Sequence, residues 1–235
     1  MTHLFNKLSR KSRHRINAIG SNRSGIGLLE AMVALLVLMI GIVSVMVLML
    51  ANTTAARVSR DQIIASNLAR ESVEIARSIR DSNWLKIEGN EKHLDGSAYK
   101  WDDGLWDATN TLYGAYPTHD DTALTWSLVY TAAAPGADVW KVYLDSTGFP
   151  AGGLYNQYAG AVPAAATVTK YTRKIYTYPI CYDAVGNESI LNADGQTCAL
   201  TGTTKIGVQV KAQVRWVDNG NNRTVSVEAK LYNWK

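Results

Sequence analysis

Hydrophobic and polar positions divide the chain into four stretches, each with its own period. Between Ile26 and Ala51 nearly every position is apolar, and Glu30 and Ser44 are the only polar side chains in the run. At about 1.5 Å per residue, a helix of this length crosses a hydrocarbon core of roughly 30 Å. A carboxylate inside such a segment is costly, so Glu30 calls for a partner or a purpose.

Beyond the apolar run the period becomes that of an amphipathic helix. Residues 52–80 contain neither Pro nor Gly. Ile64, Leu68, Ile75 and Ile79 fall near one face, with Val73 and Ala76 beside them. Arg60, Arg70, Glu71, Glu74, Arg77 and Arg80 occupy mostly other angles. One helix from about residue 26 to 80 would be roughly 80 Å long. Asp81-Ser82-Asn83 carries side chains that compete for backbone hydrogen bonds, and this predicts the helix end there.

Residues 84–123 show no clear period. Trp84, Trp101, Trp106, Tyr113 and Tyr116 are separated by Gly, Asp and Asn, which predicts a loop-rich region packed by aromatics, with Asp102, Asp103 and Asp107 as solvated turn residues. Strand signals follow. Leu124–Tyr130 alternates, and Val139–Leu144 follows across Pro135-Gly136 as expected of a hairpin. Val168–Ile180 is a further strand, rich in Thr and Tyr. The clearest pattern is at the end, where Ile206, Val208, Val210, Ala212, Val214 and Trp216 alternate with mostly polar residues. A turn at 218–222 then leads to the alternating Val225, Val227, Ala229 and Leu231. Such a hairpin has one apolar face seeking cover, which the amphipathic helix half can supply. The expected fold class is therefore α+β: a long N-terminal helix, transmembrane and then amphipathic, packed on a C-terminal antiparallel β-sheet. The expected division is residues 1–25, 26–51, 52–82 and a β-rich head at 83–235.

Charge changes the picture at one end. The formal net charge of +4 conceals six basic residues and no acidic one within residues 1–25, which leaves 18 Lys+Arg against 20 Asp+Glu in the remainder, or about −2. The basicity thus belongs to the leader and predicts no nucleic-acid surface. Basic residues before an apolar segment favour a cytoplasmic N-terminus, which puts the head on the far side of the membrane. A cleaved secretory signal is a competing reading, but its apolar region usually runs ~7–15 residues.

Cys181 and Cys198 fall in the segment assigned to that oxidising side. They read either as a disulfide, contributing on the order of 3 kcal/mol, or as two separate buried thiols. No nearby His or Cys completes a zinc site. His93 and His119 lack a partnered nucleophile or ligand spacing, and no phosphate-binding glycine motif occurs. No catalytic residues, metal ligands or cofactors are expected.

The basic leader, Gly25, Ile26, Glu30 and the long apolar run together resemble the N-terminal signal of type IV prepilins. The alternating C-terminal strands fit the same family. In that family a membrane aspartyl peptidase cuts after the glycine and methylates the new N-terminus. The resemblance implies Gly25 as the last leader residue and Ile26 as the methylated one. Glu30 becomes the carboxylate that pairs with an N-terminal amine in the filament. The implied partners are the prepilin peptidase, other pilin or pseudopilin subunits, an inner-membrane assembly platform, and the lipid bilayer before assembly. Major pilins usually begin with Phe and often have a Pro deeper in the helix; here Ile26 stands first and no Pro occurs between 26 and 80. This is closer to V-type minor pilins or I-type pseudopilins. The runner-up reading is a single-pass, membrane-anchored surface binding protein or adhesin that never enters a filament.

Overall fold

The computed structural model describes residues 24–106, 114–120, 125–134, 137–146, 153–158, 160–191, 197–199 and 202–234. Its architecture is α+β, as expected. One long helix, α1 (Ser24–Glu88), precedes the strands β1 (Ala115–Asp120), β2 (Thr125–Tyr130), β3 (Lys141–Asp145), β4 (Leu154–Asn156), β5 (Ala166–Tyr182), β6 (Glu188–Ile190), β7 (Thr204–Asp218) and β8 (Asn221–Tyr232). By compactness the chain divides at residue 54. The stretch up to Thr54 forms one unit, and Ala55 onward forms the other, which contains the sheet.

Every strand pairing is antiparallel, and β5 is the spine. Along one edge β5 pairs with β7 from Thr172 to Tyr182, and β7 in turn pairs with β8. Along the other edge it meets β3, then β1, then β6 in succession. The β7–β8 hairpin closes through Asn219 and Gly220, both at positive φ (48° and 79°). That is the backbone of a two-residue turn whose twist matches the strands, and Asn-Gly is the sequence that adopts it most readily.

The core forms where the outer half of α1 meets one face of the sheet. Ala65, Leu68, Ala69, Val73, Ile75 and Ala76 are buried together with Ile175, Val208, Val210, Ala212 and Val214. Val208 to Trp216 bury alternate side chains as the period-two pattern predicts. The centre of the helical face is made of small residues: Ala65, Ala69, Ser72 and Ala76 are fully buried, whereas Ile64 and Ile79 flank it and stay partly exposed. Ser72 satisfies its buried hydroxyl by donating to the Leu68 carbonyl at 2.8 Å.

The expected helix end at Asp81-Ser82-Asn83 is not where the helix stops. Asn83 is buried, and its amide donates to the carbonyls of Trp101 (3.2 Å) and Asp103 (2.8 Å) instead of competing with its own helix. The helix runs on to Glu88. There Asn90 takes a positive φ of 53°, Glu91 N–H donates to Lys86 O at 2.9 Å, and Asn90 N–H donates to Ile87 O at 3.1 Å. This pair of bonds with a left-handed residue is the Schellman stop, here using Asn in place of the commoner Gly.

The expected hairpin between β2 and β3 is also not formed. Strand β2 pairs along its whole length with β1, which lies in the region read as loop, while β3 pairs with β4 and β5. Pro117 lies within β1, although a proline cannot donate to a strand ladder. It is accommodated because β1 meets β5 only at Ala115–Ile175 and beyond that point has a single neighbour, β2. Leu124, Pro135, Gly136, Gly148 and Gly152 lie outside the described residues, as do Asp107 and Tyr113. Of the other aromatics in that region, Tyr116 is buried, Trp101 and Trp106 pack against the core, and Trp84 lies 5.7 Å from Trp234, ring centre to ring centre.

Cys181 and Cys198 are bonded, with Cα atoms 5.5 Å apart and both residues buried. The bridge ties the segment after β6 back to the end of β5. Cys181→Ser with Cys198→Ser is expected to lower unfolding stability by about 3 kcal/mol, the chain-entropy value for a loop of this length. Denaturant unfolding of the detergent-solubilised chain with and without reductant reads it, and reductant should reproduce the loss in the parent alone.

Candidate anchoring and assembly segment

The segment singled out by sequence is the first part of α1. Every residue from 27 to 57 is exposed, and the large side chains among Leu28 to Leu50 keep about half to two-thirds of their surface. Mean hydropathy reaches 3.1 within this helix, and none of that window is covered by the rest of the chain. It is long and apolar enough to cross a membrane once, which is compatible with a single-pass anchor. Continuous apolar exposure on this scale is not a stable arrangement in water and marks a surface made for lipid or for other chains.

Three hydroxyls within and just after the run are satisfied within the helix. Ser44 donates to Ile40 O at 2.8 Å, and Thr53 and Thr54 each donate to Leu50 O at 2.9 Å, so their hydroxyls fold back on the helix. Glu30 is exposed and has no hydrogen-bond or ion-pair partner among the described residues. Gly25 and Ile26 lie in the first turn of α1. Residues 1–23, which carry almost all of the basic leader, lie outside the described residues. Gly41, the one glycine deeper in the run, sits in unbroken helix with open space where a Cβ would stand.

Where α1 meets the sheet, Arg173 and Asp61 each make a polar link between them. Arg173 of β5 is fully buried; its Nη1 donates to Glu71 Oε2 at 2.9 Å and its Nε to Gln157 Oε1 at 2.8 Å. Gln157, also fully buried, donates through Nε2 to Val139 O and Arg173 O, both at 3.0 Å. Burial pulls the proton affinity of the guanidinium down and Glu71 opposes it. The second link joins Asp61 to Lys170 and to the Tyr171 hydroxyl, which donates to Asp61 Oδ1 at 3.2 Å. Burial and the facing Asp61 push the Tyr171 phenol up.

Asp61 itself is held below the usual carboxylate range. The Lys170 hydrogen bond is the largest influence, partial desolvation opposes it, and the Tyr171 hydroxyl adds to it. A carboxyl whose folded pKa lies below its unfolded value contributes stability above the unfolded value, near pH ~4, and loses it as pH falls through the folded one. Asp61→Asn is therefore expected to flatten the acid limb of a stability–pH curve below pH ~4 while leaving its slope near neutrality unchanged. A parallel acid limb in the variant would show that Asp61 contributes nothing there.

The remaining residues of chemical interest serve the fold. Asp102 pairs with Lys205, and Asp103 Oδ2 accepts from Lys100 N–H at 2.6 Å and lies 3.0 Å from His93 Nε2. These two aspartates are thus turn anchors and not the solvated residues expected, because the loop folds back over the end of the helix. His119 packs on Trp126, with ring centres 4.9 Å apart; Asp121 lies outside the described residues. No group of three or more His, Cys, Asp or Glu side chains that could hold a metal occurs among the described residues.

Sequence reasoning missed the Arg173–Glu71–Gln157 cluster. Its signal was an arginine on the same strand face as Tyr171, Ile175 and Thr177, the buried face of β5. No protein-family model, curated protein or solved structure matches this chain.

Proposed function

We propose that the chain is a structural subunit of the type IV pilin or pseudopilin kind, and a minor member of that class. The observation that carries this reading is the division of α1. One half is apolar and exposed, with one carboxylate, Glu30, near its start that has no partner among the described residues, and the other half is fastened under an antiparallel sheet. A helix built this way exchanges one apolar environment for another. In the inner membrane it is surrounded by lipid, with its N-terminus in the cytoplasm. In a filament it is surrounded by the same segments of neighbouring subunits.

Cleavage by a prepilin peptidase between Gly25 and Ile26 creates an amine at the start of the apolar run. Each subunit then brings both an amine and Glu30, so a pair can form between neighbours that differ in axial position. An ion pair in low dielectric contributes only when both charges are present and well placed, and it therefore sets register more than it adds affinity. The assembly platform of the inner membrane would supply the work of extraction.

N-terminal mass spectrometry on the membrane fraction tests the class. The expected result is a chain beginning at methylated Ile26 that co-purifies with a filament. A chain that retains residues 1–25 and associates with no filament would point instead to an anchored surface binding protein.

A further inference from the structure

The tip of the β7–β8 hairpin sets a side-chain amide beside an open backbone nitrogen. Asn219-Gly220 is the only Asn-Gly step in the sequence, and both residues are exposed. The strand ladder closes at Asp218–Asn221, so the Gly220 N–H, at the second position of a two-residue turn, lies outside it. Open space stands where a Cβ on Gly220 would be, and without that atom the nitrogen is as little shielded as a main-chain nitrogen can be. A bond from this nitrogen to the Asn219 side-chain carbon would close a five-membered ring.

Other asparagines of the head are held or screened. Asn83 is buried, and its amide donates to the Trp101 and Asp103 carbonyls. Asn187 Nδ2 donates to Asp183 Oδ2 at 3.0 Å, and Asn156 Oδ1 accepts from the Gln157 N–H at 2.8 Å. Asn221 and Asn222 are as exposed as Asn219, but they are paired with β7 and are followed by Asn and Arg, whose side chains crowd the next nitrogen. Among the described residues no hydrogen bond holds the Asn219 amide.

We propose that Asn219 is a site of spontaneous deamidation, in which the Gly220 nitrogen attacks the Asn219 side-chain carbon and ammonia leaves. The new C–N bond closes a succinimide, the bond to the amide nitrogen breaks, and the Gly220 proton departs with the ammonia. Water then opens the ring by one of two routes. Breaking the bond to the side-chain carbon gives an aspartate with the main chain intact. Breaking the bond to the main-chain carbon gives isoaspartate, whose main chain is one atom longer. Either product adds a negative charge beside Asp218. Aspartate still suits the turn, since Asp-Gly is among its favoured sequences, whereas the extra atom of isoaspartate upsets the turn length that fixes the β7–β8 register. The site belongs to the head and stands whether the chain is polymerised or only anchored.

The test is storage of the folded, detergent-solubilised full chain in mildly alkaline buffer, with tryptic mapping against a fresh sample digested in parallel. Cleavage after Arg215 and Arg223 releases Trp216–Arg223, which holds Asn219, Asn221 and Asn222 together. The mass gain of an amide turned to an acid should appear at Asn219 about tenfold or more faster than at Asn221. An isoaspartyl carboxyl methyltransferase should label the same peptide. Gly220→Ala shields the nitrogen and is expected to slow the loss by about tenfold or more. The strain that alanine adds at a φ of 79° would loosen the turn and act in the opposite direction, so it cannot mimic that slowing. Equal rates at Asn219 and Asn221, loss of the amide only after unfolding in urea, no isoaspartyl label, or undiminished loss in G220A would each overturn the proposal.

Discussion

Glu71→Ala is expected to destabilise the head by about 3 kcal/mol or more. Arg173 is fully buried and its guanidinium stays charged, so removing Glu71 leaves a cation whose only remaining side-chain partner is the neutral Gln157 oxygen. Breaking one side of a buried ion pair commonly costs ~3–5 kcal/mol. The Glu71 side chain keeps about a third of its surface (32%), so water screens part of the pair and the lower end of that range applies. Denaturant unfolding of the full chain in detergent, monitored by the tryptophans of the head, measures the loss. The double change Glu71→Ala with Arg173→Met should recover much of it, since no charge is then left buried. What is not recovered belongs to Gln157, which loses its donor from Arg173. A Glu71→Ala variant as stable as the parent would mean that the guanidinium finds water or another acceptor, and the proposed fastening would fall.

The same cluster shows where reading the sequence stops. Strands β7 and β8 were legible because each carries its own period of alternate apolar positions, with a turn at 218–222 between them, and β5 because it is rich in Thr and Tyr. The existence of α1 was legible for the same reason. Its end was not, because the signal at Asp81-Ser82-Asn83 is local whereas the fate of Asn83 is decided by the carbonyls of Trp101 and Asp103, about twenty positions away. Strand β1 was hidden because the Gly, Asp and Asn between the aromatics of residues 84–123 read as loop, whereas its pairing with β2 is a matter of register that no local pattern encodes. Glu71 looked like one more solvent-side charge on the helix; only the sheet places Arg173 against it. The apolar half of α1, by contrast, was legible almost entirely as a continuous apolar helix, since such a run depends on no partner within the chain.

The polar links made by Asp61 and Glu71 lie in the outer half of the helix. The outer half of α1 is held to the sheet by these two ion pairs and by a core of Ala65, Leu68, Ala69, Val73, Ile75 and Ala76. The links also fix which face of α1 the sheet covers. They leave Ile63, at 58% exposed, with Ser59, Gln62, Ser66 and Asn67 on a free face of that half.

On the proposed function, Glu30→Val should give a processed, membrane-inserted chain that is largely missing from filaments. The substitution makes the apolar run more hydrophobic, so membrane insertion cannot suffer from it. What it removes is the only charge in Ile26–Ala51 able to meet the amine that cleavage before Ile26 would create. An amine left unpaired in apolar surroundings carries a penalty comparable to any broken buried pair, ~3–5 kcal/mol, which corresponds to a hundredfold or greater loss in incorporation at equilibrium. Immunoblots of sheared filaments against whole membranes read the ratio directly. Gly25→Ala separates the two steps: it should retain the leader, visible as a larger chain on a gel, because the peptidase acts at that residue. If Glu30→Val enters filaments at the parent level while Gly25→Ala retains the leader, the processing role stands and the pairing role fails. If both variants behave as the parent does, the long apolar half of α1 is an anchor and nothing more.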